Sequence, residues 1–463
     1  MKKVSLLALL LLLPLSLAWA QPAGRLMGGV ESNSVLSVDG KFRSNDYLKL
    51  DYVQGRFSAG IQAESYLPEP LLGYDLNLKG IGLPEKYIAW TDALWSVTAG
   101  DFYDQFGTGV ILRSWEDRNL GWNNSIGGAR ATFKTPGELF SIKLLGGFKR
   151  KYLWYGQERV AGAEAALRLG AFSLEGSTVL RHDGLTAGWA WSALGSYAHG
   201  GFSARAEYVG KSGGDAQTLE LGFAGKAFSS NLTLRRLNHM LDPMGLNYLP
   251  SLCQEQSYVL ACLNPYTTFA DGELGGSADL FYRLHGWKIH VNGSWIYALP
   301  SALKNHDVLR LCYRDINIHV EKRWNRRFKT VAFVSIQECS PTHGERKATN
   351  AQNAFVLDGV YKWSKLSLRS QLQYMYSQEL TRDWMAASLE LSSTGGWSVH
   401  VQDMYNHGSS REHYYEAGLG YTHGAFKADL TYGHQRAGLV CSGGVCRWQP
   451  EYTGGMLRLA YLF

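Results

Sequence analysis

Apolar and polar residues alternate with period two along most of this chain. In the stretch 365–377, Leu366, Leu368, Leu372, Tyr374 and Tyr376 share one face, and Ser367, Arg369, Gln371 and Gln373 share the other. Residues 56–64 repeat the pattern, with Phe57, Ala59, Ile61 and Ala63 opposed to Arg56, Ser58, Gln62 and Glu64. In 172–181, Phe172, Leu174 and Leu180 oppose Ser173, Glu175 and Arg181. Successive side chains of a strand point to opposite faces, so each stretch predicts a strand with one apolar and one polar face. Segments of helical period are almost absent.

Short turns punctuate these strands, and an aromatic or large aliphatic residue opens the strand that follows. The openers are Phe57, Trp95, Phe140, Phe172, Phe202, Phe228, Trp287, Phe328, Leu366, Trp397 and Phe426. Neighbouring openers are mostly 26 to 45 residues apart, with one step of 59 between Phe228 and Trp287. Each step holds one strand out, a loop, and one strand back. Eleven openers and a first strand near 26–38 make twelve hairpins, or about 24 strands, within a range of 22 to 26.

A soluble propeller or solenoid also repeats short strands, but at a near-constant period. Here the step follows loop length, with tight turns at one end and long loops at the other. That asymmetry, with rings marking one boundary, is the layout of a transmembrane barrel. Composition agrees: aromatics make up 13% of the chain and Gly supplies 52 residues, while hydrophobic content is only 45%. After residue 20 no apolar run approaches the ~18 residues of a spanning helix. The fold class expected is all-β, a transmembrane antiparallel barrel of the bacterial outer membrane.

Both termini bear on this expectation. Residues 1–20 carry Lys2 and Lys3, an apolar run from Val4 to Leu17, and small residues at Ala18 and Ala20. This is the layout of a secretory signal peptide, and Gln21 after the expected cut argues against a lipid anchor. One barrel domain, 21–463, remains. Without Lys2 and Lys3 it has 44 basic against 40 acidic residues, a balance that gives no reason to invoke nucleic acid. At the other end Leu457, Leu459, Tyr461 and Phe463 share one face of a strand. This resembles the closing signal of bacterial outer-membrane barrels, which implies lipid contact and recognition by the barrel-assembly machinery.

With the ring-led face toward lipid, the inward charges balance. Arg56, Arg168, Arg181, Arg205, Arg235, Arg369, Lys427 and Arg458 stand against Glu64, Glu164, Glu175, Glu207, Glu220, Glu390, Glu416 and Asp429. An anion-selective pore calls for a one-sided ladder; a balanced set fits internal ion pairs or weak selectivity. One segment, 101–130, is denser than lumen upkeep needs. It holds Asp101, Asp104, Arg113, Glu116, Asp117, Arg118 and Arg130, with Trp115 and Trp122 among them. These are the candidates for a folded, plug-like loop that lines or constricts the lumen. Its motifs GDFYDQFGTG, LRSWEDRNLG and GGAR resemble an uncharacterised family of outer-membrane barrels in Bacteroidota. That resemblance covers the amino-terminal third and implies a barrel fold and a Gram-negative outer membrane, with no substrate or reaction attached.

Six cysteines in an oxidising compartment read as disulfides, with six free thiols as the alternative. Cys441 and Cys446 bracket a turn, and Cys253 and Cys262 lie in the longest loop, about 237–272. Cys312 and Cys339 lie equally far from the turn at 324–328, which sets them opposite each other unless a bulge shifts the register. No CxxC and no His pair at zinc spacing occurs, so neither metal nor cofactor is expected.

Two functional readings follow. A barrel this wide is a channel unless plugged, which favours a transport or secretion component with weak charge selectivity. The alternative is a structural or assembly scaffold with a filled lumen and long extracellular loops that bind other surface proteins. No nucleophile elbow, HExxH or Ser/His/Asp grouping is present, so an enzyme is not expected. A lipid transporter would need an apolar amino-terminal hatch, and QPAGRLMGG is too short and polar for one.

Overall fold

The computed structural model describes residues 24–304, 308–442 and 445–463; the signal peptide expected at 1–20 lies outside them. Twenty-four strands form one antiparallel sheet that closes on itself. The first strand, Gly24–Ser37, pairs with Phe42–Gln54 on one side and with the last, Tyr452–Leu462, on the other. The closing register runs from Gly29 opposite Leu462 to Ser37 opposite Gly454. Closure leaves no unpaired edge, the condition for a sheet to sit in hydrocarbon. Among the described residues there is no α-helix, only three single-turn 3-10 segments.

All eleven openers read from the sequence are the first residues of strands. Many stand exposed, Phe57 at 65% and Phe172 at 58%, and several meet a ring on the adjacent strand. Trp95 lies 4.7 Å from Phe133, Phe172 4.7 Å from Tyr197, and Trp397 4.3 Å from Tyr421. Such a ring belt marks a membrane–water boundary. The turns beneath it are tight; Gly170, at φ +61°, supplies the left-handed residue for the two-residue turn before Phe172.

Exposure runs opposite to that of a soluble sheet. Along Leu366–Ser377, Leu372, Tyr374 and Tyr376 are exposed, while Gln373, Met375 and Ser377 are buried. The outward apolar face suits lipid. The burial of the inward face has a different cause: connections from the far end fold back over it.

The cysteine register differs from expectation by one residue. Tyr313, not Cys312, lies opposite Cys339. Ile296 pairs with Tyr313 and Tyr297 with Leu311, so Cys312 is the extra residue of a bulge. Cys253, Cys262, Cys312 and Cys339 are free thiols, and Cys441–Cys446 is the disulfide, in a small hairpin formed by Gly438–Ser442 and Val445–Gln449.

Candidate functional site

Two connections at the end opposite the ring belt dominate the interior. The first, 103–125, follows strand Trp95–Phe102 and carries most of the charged candidates. The Arg118 guanidinium donates to Glu31 at 2.8 Å and to Gln62 at 3.2 Å, and lies 4.4 Å from the Tyr47 ring. Glu116 accepts from Gln62 at 2.9 Å. These contacts reach the first three strands. At the other end of the segment, the amide of Gly107 donates to Glu164 at 3.1 Å and that of Thr108 to Glu207 at 3.2 Å. Arg181 donates to the Ile111 carbonyl. One segment therefore touches strands far apart around the barrel, which requires it to cross the interior.

Beneath it lies a buried ion pair that sequence reasoning only half identified. Arg150 holds Glu64 through two hydrogen bonds, at 2.6 and 3.2 Å, with both side chains almost wholly inaccessible. Gln62 donates to Glu64 at 2.8 Å and to Glu116 at 2.9 Å, and so joins wall and segment. A fork of two parallel bonds is the geometry that makes a desolvated Arg–carboxylate pair tolerable. A cavity of about 340 Å³ remains between segment and wall, lined in part by Tyr47, Glu116, Arg118, Trp122 and Lys149.

The remaining candidates separate into three groups. Asp104 at the root of the segment meets Lys143 at 2.9 Å and Arg130 at 3.2 Å. Arg113 lies 3.9 Å from the Tyr248 ring, and Asp117 accepts from the amides of Asn119 and Leu120, a local turn cap. Asp101 stands apart: it belongs to strand Trp95–Phe102 and accepts from the Tyr155 hydroxyl at 2.8 Å and the Lys86 amide at 2.9 Å. Of the sixteen inward charges inferred from alternation, only Arg458 and Asp429 form an ion pair with each other among the described residues. Several of the others find different partners, such as Arg235 with Glu273 and Arg369 with Asp358.

The second connection, 239–271, docks by apolar contact. Tyr258, Leu260, Ala261 and Leu263 pack on Val331, Phe333, Ala354, Val356 and Met375 of the wall. Backbone groups are satisfied by wall side chains: the Leu260 amide by Gln373 at 3.2 Å and the Ala261 carbonyl by Gln337 at 3.1 Å. Sequence reasoning missed this site. Its signal was present, since Val331, Phe333, Val356 and Met375 are apolar residues at inward positions, which a water-filled lumen does not call for.

The two segments also grip each other. The Arg113 amide donates to Leu246 at 2.7 Å, the Tyr248 amide to Gly109 at 2.9 Å, and the Asn124 amide group to Gly245 at 2.7 Å. From the disulfide hairpin, Arg447 donates to the carbonyls of Asn119 at 2.6 Å and Leu72 at 3.1 Å.

A closed antiparallel barrel with an outward apolar belt, an aromatic girdle and loops folded inward has the architecture of outer-membrane barrels. A chain of the E. coli P pilus tip assembly intermediate PapC-PapD-PapK-PapG matches it with a TM-score of 0.56 at 13% identity, covering 97% of this chain and 62% of that one. The P pilus usher (PapC) translocation pore gives a TM-score of 0.49 at 11% identity, covering 94% and 99% of the two chains. The copper transporter OprC gives 0.47 at 11%, covering 96% and 81%. At such identities the shared property is the fold. No curated protein matches the sequence. The chain belongs to DUF6029, a family of unknown function whose model matches residues 1–463.

Proposed function

We propose that this protein is a channel or transport barrel of the bacterial outer membrane whose passage is narrowed by its own segments 103–125 and 239–271. The observation that carries the reading is their mutual docking: two connections from different hairpins meet inside one barrel and each satisfies the other's backbone. A barrel of this strand number encloses a channel unless filled, and the polar cavity beside Arg118 is the space left for solute. Inward charges of the two signs balance in number, so selectivity between anions and cations is weak. The outward face of Leu457, Leu459, Tyr461 and Phe463 contacts lipid and is the feature offered to the assembly machinery, in keeping with secretion through a cleaved leader and an origin in Bacteroidota.

The apolar dock of 239–271 also supports the second reading, a scaffold with a permanently filled lumen whose outer loops bind other surface proteins. Planar-bilayer conductance separates the two. Replacing 104–124 by a short Gly-Ser bridge is expected to raise conductance severalfold while the barrel stays assembled. A barrel that passes no current before or after the deletion is the scaffold.

A further inference from the structure

At the loop-bearing end, where the last strands meet the first, side chains from the ends of three strands converge. Glu412 precedes strand His413–His423, His434 is the penultimate residue of strand Phe426–Gln435, and Glu451 precedes strand Tyr452–Leu462. One donor atom from each lies within 4.8 Å of the others. The His434 Nε2 is 3.6 Å from a Glu412 oxygen and 3.7 Å from a Glu451 oxygen. These separations exceed good hydrogen-bond lengths. They match the spacing of ligands around a shared ion, since bonds of about 2.0–2.2 Å at tetrahedral angles set donors roughly 3.3–3.6 Å apart.

We propose that Glu412, His434 and Glu451 form a binding site for a divalent metal ion of the Zn²⁺ class. The surroundings of the imidazole fit this role. Its Nδ1 lies 2.7 Å from the Thr453 hydroxyl oxygen, and donation of the Nδ1 proton there leaves the Nε2 lone pair facing the two carboxylates. Tyr414 stacks on the ring at 5.0 Å and 8°, and its hydroxyl donates to the second oxygen of Glu412 at 3.0 Å. Partners of this kind orient ligands and tune their basicity. Two carboxylates facing a lone pair repel one another; a divalent cation between them neutralises both and accepts the imidazole. One nitrogen and two carboxylate oxygens, with a fourth position open to water, suit Zn²⁺ better than the all-oxygen cages of Ca²⁺ or Mg²⁺. The ligands are 22 and 17 residues apart in sequence, so no motif spacing reveals them.

Binding would tie the connection that carries the disulfide hairpin to two neighbouring strands. Arg447 of that hairpin rests on segment 103–125, so the ion would hold this part of the cover in place. The test is calorimetric titration of the full, chelator-treated barrel in detergent micelles with Zn²⁺, folding being checked by heat-modifiable gel migration. Wild type is expected to bind one Zn²⁺; Glu412→Gln with Glu451→Gln, and separately His434→Gln, should abolish that binding. Tyr414→Phe should weaken it about tenfold. His413→Gln, which alters the adjacent His413–Asp403 pair, should leave it unchanged. Zn²⁺ should also slow protease cleavage within 436–451 in wild type alone. Absence of binding in wild type, or binding undiminished in the double Glu variant, overturns the proposal and leaves the trio as a contact between strand ends only.

Discussion

The two inward segments reach the same interior by different combinations of contacts. Segment 103–125 holds the wall in two ways: Arg118 pairs with Glu31 and Gln62 at one end, and at the other Phe106, Val110, Ile111 and Leu112 are buried in one apolar cluster with Val160, Val179 and Val209. Segment 239–271 holds it through apolar burial, with Leu260 fully inaccessible against the inner wall. The Arg118 contact is directional and leaves a cavity beside it. The second is non-directional and fills space, because apolar surface gains by excluding water whatever its orientation. A charged anchor can exchange its partners for water at small net cost, whereas an apolar one loses its burial on opening. The Arg118 end of segment 103–125 is therefore the part suited to move, and its Phe106–Leu112 part is not.

The largest effect should come from the pair beneath the first segment. Arg150→Met strands Glu64 without its partner in a nearly dry site, at an expected cost of about 3–5 kcal/mol. It should appear as loss of heat resistance and of the gel mobility of the folded barrel. Leu260→Ala should cost about 2–5 kcal/mol of docking by transfer and cavity terms. Its readout is protease cleavage within 239–271 under conditions where wild type is resistant; equal resistance would mean that contacts other than Leu260 burial hold the segment. Arg118→Ala, at a half-exposed pair, should cost only about 1 kcal/mol, with more frequent current fluctuations and an unchanged melting point. The smallest effect concerns reactivity. Burial pushes the Cys253 thiol well above its ordinary range, and the thiolate is the reactive form. Alkylation of Cys253 at pH 8 should therefore be slow in the folded barrel and fast once the barrel is unfolded.

The asymmetry between the segments is also one of legibility. The first announced itself through the local density of Asp104, Arg113, Glu116, Asp117 and Arg118 among tryptophans. The second contains few charges, and only its length and two cysteines set it apart. Its docking depends on matching Leu260 to Phe333 and Met375, residues more than seventy positions away, and local pattern carries no such pairing. The Glu64–Arg150 pair was hidden for the same reason: alternation places Glu64 inward and is silent about which arginine meets it.

What the chain determined by itself is its barrel. Period-two alternation and a ring after each tight turn are local properties, set by strand geometry and by the lipid boundary. They give every opener from Phe57 to Phe426 and the strand number. Tertiary structure decided the rest. The bulge at Cys312 shifts the register by one residue and parts it from Cys339. Asp101 is claimed by its strand rather than by the segment it introduces. Glu412, His434 and Glu451 meet only because three strand ends lie side by side once the sheet has closed. Each of these depends on contacts between residues distant in sequence, whose energies exist only after the chain has folded round on itself.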